Sequence, residues 1–265
     1  MILNVSNKGG AIERGVYPFG LSDYPNILAS ELKNLIAFIN YEKSHGRQTE
    51  IVCEDKNLIT VVNHAVAHPE TVEDFILPEK YENDCCNHQG CLTEFICHST
   101  GFKAAKSILF GGCLLSAVKV YGKTGNQLAF EKRDSLWNDP PDFFEYIMFN
   151  WGNCKYGEYV IMSEYLDDPS DEAFGRFNPG VRFYFRYEDI LGHPGHTFDG
   201  YHIIKIKDEI VLSDYLHACV VPEQYKNELE RFVLPKLVAR VHYLPHEGLS
   251  LRDWSEKIYD FISKL

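Results

Sequence analysis

The sequence lacks any apolar run long enough for a membrane helix. No stretch stays apolar for about 18 residues, the length needed to cross the hydrocarbon core, so no membrane contact is expected. The opening Met1-Ile2-Leu3-Asn4-Val5-Ser6-Asn7 has no basic region, long apolar core or small-residue cleavage site. A secretory signal is therefore not expected, and the cytoplasm is the expected location. Eight cysteines are present, yet none stand in paired CxxC units. Disulfide frameworks belong to short secreted chains, so reduced thiols are expected here. Positive charge is in deficit, with 26 Lys and Arg against 38 Asp and Glu. That balance excludes a broadly basic nucleic-acid binder and leaves room only for a local basic cleft. Fixed-period repeats, low-complexity tracts and zincin-like HExxH spacing are absent as well.

What is present is aromatic and apolar. Seventeen Phe, 16 Tyr and a 45% hydrophobic content in 265 residues support a large core rather than disorder. From Pro25 to Lys43, Ile27, Leu28, Leu32, Leu35, Ile36 and Ile39 recur at three- and four-residue steps and predict a packing helix. The β-branched residues between Ile51 and Val62, around Glu54-Asp55-Lys56-Asn57, predict a short hairpin before the acidic run Glu70 to Glu82. A helix beginning near Gly101 should stop at Gly111-Gly112 and be followed by a strand. Lys119 to Pro141 reads as a loop. The second half reads mainly as strands: Glu145 to Asn150, Tyr159 to Tyr165, Val181 to Tyr187, Tyr201 to Ile206, and Ile210 to Val221 in one or two pieces. Helices over Pro222 to Val238 and from Ser250, an N-cap, to Leu265 should close the chain.

The segment Phe95-Ile96-Cys97-His98-Ser99-Thr100-Gly101 has the grammar strand, polar break, helix. His98 would leave the strand end beside the Ser99 main chain and the Thr100 hydroxyl, with Ala104, Ile108 and Leu109 anchoring the helix. A lone histidine of this kind is as readily structural as functional. Together with Ile108-Leu109-Phe110-Gly111-Gly112-Cys113-Leu114, the segment resembles the start of the ADP-ribosyltransferase fold, where a strand ending in His-x-Ser or His-x-Thr precedes a helix with Ile-Leu-x-x-Gly-Leu. This chain carries one extra residue before the leucine. The resemblance implies that His98 holds the nicotinamide-side ribose of NAD. It implies that the Ser99 backbone pairs with the carboxamide and that Thr100 supplies a supporting hydroxyl.

Asp142-Phe143-Phe144-Glu145-Tyr146-Ile147-Met148-Phe149-Asn150-Trp151 resembles the aromatic strand of DarT-like nucleic-acid ADP-ribosyltransferases. By that resemblance Tyr146 is the ring nearest nicotinamide, with Phe149 beside it; stacking of an electron-rich face on a pyridinium is worth about 0.5–2 kcal/mol. The plain alternative is an aromatic core strand. Arg133 lies where these enzymes place a functional arginine, implying a catalytic role in clamping the NAD pyrophosphate or steadying the departing charge, and Lys123, Lys132 and Arg133 together offer a small basic lip. The third match is Lys207 to Val221, which resembles the catalytic-glutamate strand, and it assigns the catalytic carboxylate to Glu209. A carboxylate near the ribose suits an oxocarbenium-like transition state and can deprotonate an incoming acceptor. Asp208, Glu188 and Asp189 are competing acids.

The resemblance implies an α+β fold with a split central β assembly and flanking helices. It divides the chain into an N-terminal α/β extension, residues 1–94, packed on a catalytic region, residues 95–265. The implied activity is transfer of ADP-ribose from NAD to a macromolecular acceptor, DNA or RNA ahead of protein, with release of nicotinamide. Residues 1–94 have no counterpart in the family pattern and are candidates for binding the acceptor or an inhibitory protein partner. The alternatives are a non-catalytic NAD- or ADP-ribose-binding module and an RNA 2′-phosphotransferase. Cys85, Cys86, His88 and Cys91, with Cys97 and His98 nearby, carry ligand chemistry for zinc at irregular spacing, and no metal is assigned. Arg182 and Arg186, after the turn Asn178-Pro179-Gly180, share one strand face and would meet phosphate or, more commonly, carboxylates. His193, His196, His202, His242 and His246 read as scattered structural histidines.

Overall fold

The computed structural model describes residues 1–10, 12–72, 94–131, 140–154 and 179–265. They form a mixed α+β structure in two compact units. No helix among the described residues is long and apolar enough to cross a membrane.

The first unit comprises Met1–Glu79, Ala117–Glu145 and Thr197–Ile204. Its sheet holds β1 (Ile2–Ser6), β2 (Val16–Gly20) and β3 (Glu50–Cys53), all parallel, in the order β2-β1-β3. Leu3 and Val5 turn inward from β1 while Ile2 and Asn4 turn outward, the alternation of a strand buried on one face. Two helices follow the strands, α1 (Ala29–Ser44) and α2 (Lys56–Ala67). α1 begins at Ala29 rather than Pro25. The Glu31 carboxylate accepts from the Leu28 N–H at 2.9 Å and from the Ser22 N–H and Oγ at 2.7 Å, which closes the helix end there.

The hairpin expected over 51–62 is instead strand β3 followed by α2. The Asp55 carboxylate accepts from the N–H groups of Asn57 and Leu58 at 2.9 and 2.8 Å and caps a new helix. The apolar residues Leu58, Val62 and Ala65 then fall on its single buried face. Packing and the cap override the β preference of Ile59, Val61 and Val62. The stretch expected to be loop-like contains the short helices Ala117–Tyr121 and Gly125–Glu131, while 132–139 lie outside the described residues.

The unit is tied together by charge and by aromatic packing. Arg47 grips the fully buried Glu42 carboxylate with Nε at 2.9 Å and Nη2 at 2.6 Å, and reaches Asp142 with Nη1 at 2.5 Å. Tyr41 donates its hydroxyl to the same aspartate. Burial pushes the Asp142 carboxyl up, but the bonds from Arg47 and Tyr41 outweigh it and hold the group below the usual carboxylate range. Tyr17 packs edge-on against Phe38 at 4.8 Å and Tyr201 at 5.0 Å. Gly200 adopts φ +71°, and a Cβ there would sit 1.9 Å from the Asn34 carbonyl oxygen; only glycine permits that approach.

The second unit comprises Lys80–Ser116, Tyr146–His196 and Lys205–Leu265. In chain order it contains β4 (Phe95–Thr100), α3 (Phe102–Gly111), β5 (Cys113–Leu115), β6 (Tyr146–Met148), β7 (Asn150–Trp151), β8 (Val181–Arg186), β9 (Lys205–Lys207), β10 (Glu209–Val211), β11 (Leu216–Pro222), β12 (Val241–Leu244) and α4 (Leu251–Ile262). The main sheet runs β12-β11-β8-β4-β7; β6 pairs with β9, and β5 pairs with β10 in a separate ribbon. One face of the main sheet packs Phe95, Cys97, Tyr184, Ala218 and Val220 against Trp254, Ile258 and Ile262 of α4. Ser250 caps that helix by accepting from the Asp253 N–H at 3.1 Å.

α3 ends at Gly112 with φ +71°, as the glycine pair predicts. Its buried anchors are Ala105 and Leu109, while Ala104 is exposed. The helix expected over 222–238 is a chain of short turns, Glu223–Tyr225, Lys226–Leu229, Glu230–Phe232 and Pro235–Arg240. Val233 and Leu234 are extended there; for Leu234 the cause is Pro235, which pushes the residue before it out of the α region. The strand expected from Tyr201 shrinks to Lys205–Lys207, and that expected over 145–150 breaks at Phe149. Tyr159 to Tyr165 lie outside the described residues.

Candidate functional site

The candidate site is built on β4. Phe95 O accepts from the Gly152 N–H at 2.8 Å, whereas Glu94 O accepts from the Tyr187 N–H at 3.0 Å. Odd-numbered main-chain groups of β4 therefore face β7 and even-numbered ones face β8. β7 pairs only with Ile96 and Cys97. The main chain of Ser99 thus points to the β7 side, two residues beyond the last pair.

Side chains alternate in the same way. Ser99 shares the face of Phe95 and Cys97, toward α4, and its Oγ is buried without a hydrogen-bond partner. His98 and Thr100 take the opposite face. There the His98 ring stands edge-on to Phe149, with centroids 6.5 Å apart, and Phe149 packs on Phe185 at 5.5 Å. Of the Ser99 functions, only the main-chain one shares a side of the sheet with the imidazole's neighbours.

His98 Nδ1 lies 3.1 Å from the Met148 carbonyl oxygen. A carbonyl can only accept, so Nδ1 carries the proton. Burial lowers the pKa of His98, opposed by the Met148 bond, and in the neutral ring Nε2 offers a lone pair. The imidazole is thereby held in one tautomer and aimed from the end of β4.

The same Met148 is the register partner of Lys205, and Tyr146 is the partner of Lys207. Lys205 is fully buried, with Nζ 4.4 Å from the centroid of the Tyr146 ring. Tyr146 is half-buried and has one face against this ammonium. Any second cation stacking on Tyr146 must use its other face. Lys205 was not singled out in the sequence. Its signal is a lone cation inside Ile203-Ile204-Lys205-Ile206, at an inward position of a strand.

Two residues beyond Lys207 the chain reaches Glu209. Asp208 makes the turn with φ +66°, and its carbonyl accepts from the Ser116 N–H at 2.8 Å. This single left-handed residue redirects the strand from pairing with β6 to pairing with β5. In the β5–β10 ribbon Leu114 and Ile210 are buried, whereas Glu209, Val211 and Leu115 are exposed. Glu209 stands directly opposite Leu115. Burial and the Glu209 charge together raise the pKa of the Cys113 thiol, which marks the carboxylate and the thiol as neighbours. His98, Phe149, Met148, Tyr146 and Lys205 form one contiguous group, and Glu209 belongs to a separate ribbon joined to it through Lys207 and Asp208.

Glu188 and Asp189 are exposed on the turn Tyr187–Leu191. Arg133 and Lys132 lie outside the described residues, as do Cys85, Cys86, His88, Cys91 and Asn178. Among the described residues no group of three or more His, Cys, Asp or Glu is placed to hold a metal, and the Cys97 thiol, buried, donates to Trp151 O at 3.7 Å. Of the two arginines on β8, Arg186 pairs with the Glu94 carboxylate, while Arg182 is buried and donates to Ser255 Oγ at 2.7 Å. His202 is bonded to Asp199 at 2.8 Å, and His242 and His246 pack against Phe261 and Trp254. His193 packs on Tyr215, and its carbonyl accepts from His196 at 2.7 Å.

No protein-family model, curated protein or solved structure matches the chain.

Proposed function

We propose that this chain is an NAD-dependent ADP-ribosyltransferase with the split β assembly of that fold, and that its acceptor is a macromolecule, nucleic acid ahead of protein. The observation that carries the reading is the continuous link between three segments far apart in the sequence. His98 is bonded to Met148 of the aromatic strand, and Tyr146 of that strand is paired with Lys207, two residues from Glu209.

In this reading the neutral His98 accepts a hydrogen bond from a ribose hydroxyl at Nε2. The main chain of Ser99 pairs with the carboxamide, Thr100 lends its hydroxyl, and the Tyr146 and Phe149 rings border the nicotinamide. The bond between the ribose C1′ and the pyridinium nitrogen breaks with its electron pair going to nitrogen, so nicotinamide leaves neutral. The positive charge that develops on the ribose is stabilised by the Glu209 carboxylate. The acceptor's lone pair then forms the new bond to C1′, and Glu209 takes the acceptor's proton. Arg133 is the proposed clamp on the pyrophosphate.

One observation favours a second reading. Glu209 is exposed and lies on a different ribbon from His98, as expected for a module that binds NAD or ADP-ribose without chemistry. Incubation with labelled NAD and separate DNA, RNA and protein pools tests both. Transfer to one pool with nicotinamide release supports the enzyme. NAD binding without release, equal in wild type and Glu209→Gln, supports the binding module, and the absence of both refutes the NAD reading.

A further inference from the structure

The last turn of α2 carries a histidine pair that the proposed chemistry does not use. His64 and His68 stand four residues apart, and the His68 N–H donates to the His64 carbonyl at 2.9 Å. One helical turn separates them, so both rings fall on one face. The ring centroids are 4.9 Å apart, with the planes inclined by 42°. Two imidazoles that share an ion at about 2.0–2.1 Å per nitrogen, with a bond angle between octahedral and tetrahedral, have centroids about 4.5–5 Å apart. The pair already stands at chelating separation. Glu70 Oε1 lies 3.4 Å from His68 Nδ1. A carboxylate on that side keeps the proton on Nδ1 and leaves the Nε2 lone pair to a metal.

We infer that His64 and His68 form a binding site for a divalent transition-metal ion of the zinc and nickel type. Imidazole nitrogen suits these ions, whereas magnesium and calcium take oxygen ligands. The local charge agrees, since the sequence between Lys56 and Lys80 holds no Lys or Arg but does hold Glu70, Glu73, Asp74 and Glu79. Both histidines are exposed, which gives an ion an open path. His64 also stands in the wall of a cavity of about 500 Å³, with Ile27, Leu32, Val61, Ala65 and Val72. Two protein ligands are fewer than a structural zinc site has, so the ion keeps coordination positions for water or for a molecule seated in that cavity. None of these residues belongs to the proposed transferase site.

The chain has eight cysteines that also attract such ions, so the test is resolved by residue. The whole chain, without NAD, is treated with diethyl pyrocarbonate across a series of ZnCl2 or NiCl2 concentrations, and mass spectrometry reads the modification of each histidine. His64 and His68 should become protected together, at one ion concentration, while the exposed His196 stays reactive and MgCl2 protects neither. His64→Ala should abolish protection of His68, and His68→Ala that of His64. Glu70→Gln should raise the concentration needed by about tenfold, the low end for loss of a supporting carboxylate. Circular dichroism of each variant should match wild type. Absence of protection overturns the inference. So does an adventitious ion only, seen as His64 protected equally in His68→Ala or as His196 protected at the same concentration. Nicotinamide release enters none of these readouts, so failure here and failure of the transferase reading are distinguishable.

Discussion

Arg47→Met strands a buried charge and should be among the most damaging single substitutions in the first unit. Glu42 is fully buried, and its carboxylate is held by two bonds from Arg47, at 2.9 and 2.6 Å. Removing one member of a buried pair costs about 3–5 kcal/mol, because the remaining charge keeps its desolvation penalty. The Arg47 side chain is 27% exposed, so water enters more readily and the lower end, about 3 kcal/mol, applies. With a denaturant slope of about 1–3 kcal/mol per molar urea, the midpoint should fall by about 1 M or more. The double variant Glu42→Leu with Arg47→Met removes the Glu42 charge as well but leaves Asp142 without its Arg47 partner, so it should recover only part of the loss. Urea titrations of the three variants, followed by far-UV circular dichroism, read the effect. A loss below about 0.5 kcal/mol in Arg47→Met, in the range of an exposed pair, would refute the claim that this pair acts as a buried one.

Other consequences follow from single contacts. Gly200→Ala places a Cβ 1.9 Å from Asn34 O at a φ of +71°, and should cost about 2–4 kcal/mol by thermal unfolding. Asp55→Ala removes the cap of α2 and should cost about 1 kcal/mol in the same assay. The pKa of His98 is lowered, so below about pH 6.5 the unfolded chain binds a proton that the folded one does not. Stability should therefore decline as the pH falls from about 6.5 toward the folded value, and the decline should be shallower in His98→Asn. Equal slopes for the two proteins would contradict a half-buried, neutral imidazole.

Where the chain marks its own boundaries, the fold was legible. Gly101 and Gly112 bracket α3, and Ser250 opens α4, because a glycine in the left-handed region and a hydroxyl cap act through neighbours only a few residues away. Segment 56–67 misled for the converse reason. Its β-branched residues favour a strand, and the deciding facts, the Asp55 cap and the packing of Leu58, Val62 and Ala65, combine a local signal with a tertiary one. The break at Val233-Leu234 was written in Pro235 but outweighed by the apolar pattern around it. At the site, the adjacency of His98 to the aromatic strand depends on a 50-residue separation closed by Met148 O, which no local pattern contains. The opposite facing of His98 and Ser99 follows from strand alternation once the β4 register is known. Lys205 has no local signature of its role, because its partner is Tyr146, 59 positions earlier in the chain.

The central claim is that Glu209 and His98 serve one reaction on NAD. It is tested most directly by nicotinamide release from labelled NAD in the presence of the acceptor pool that takes up label, comparing wild type with Glu209→Gln. The account predicts release by wild type, a loss of about 10²-fold or more in the variant, as for removal of a positioned general base, and unchanged NAD affinity. Release at the wild-type rate by Glu209→Gln, or none from either protein, would contradict it.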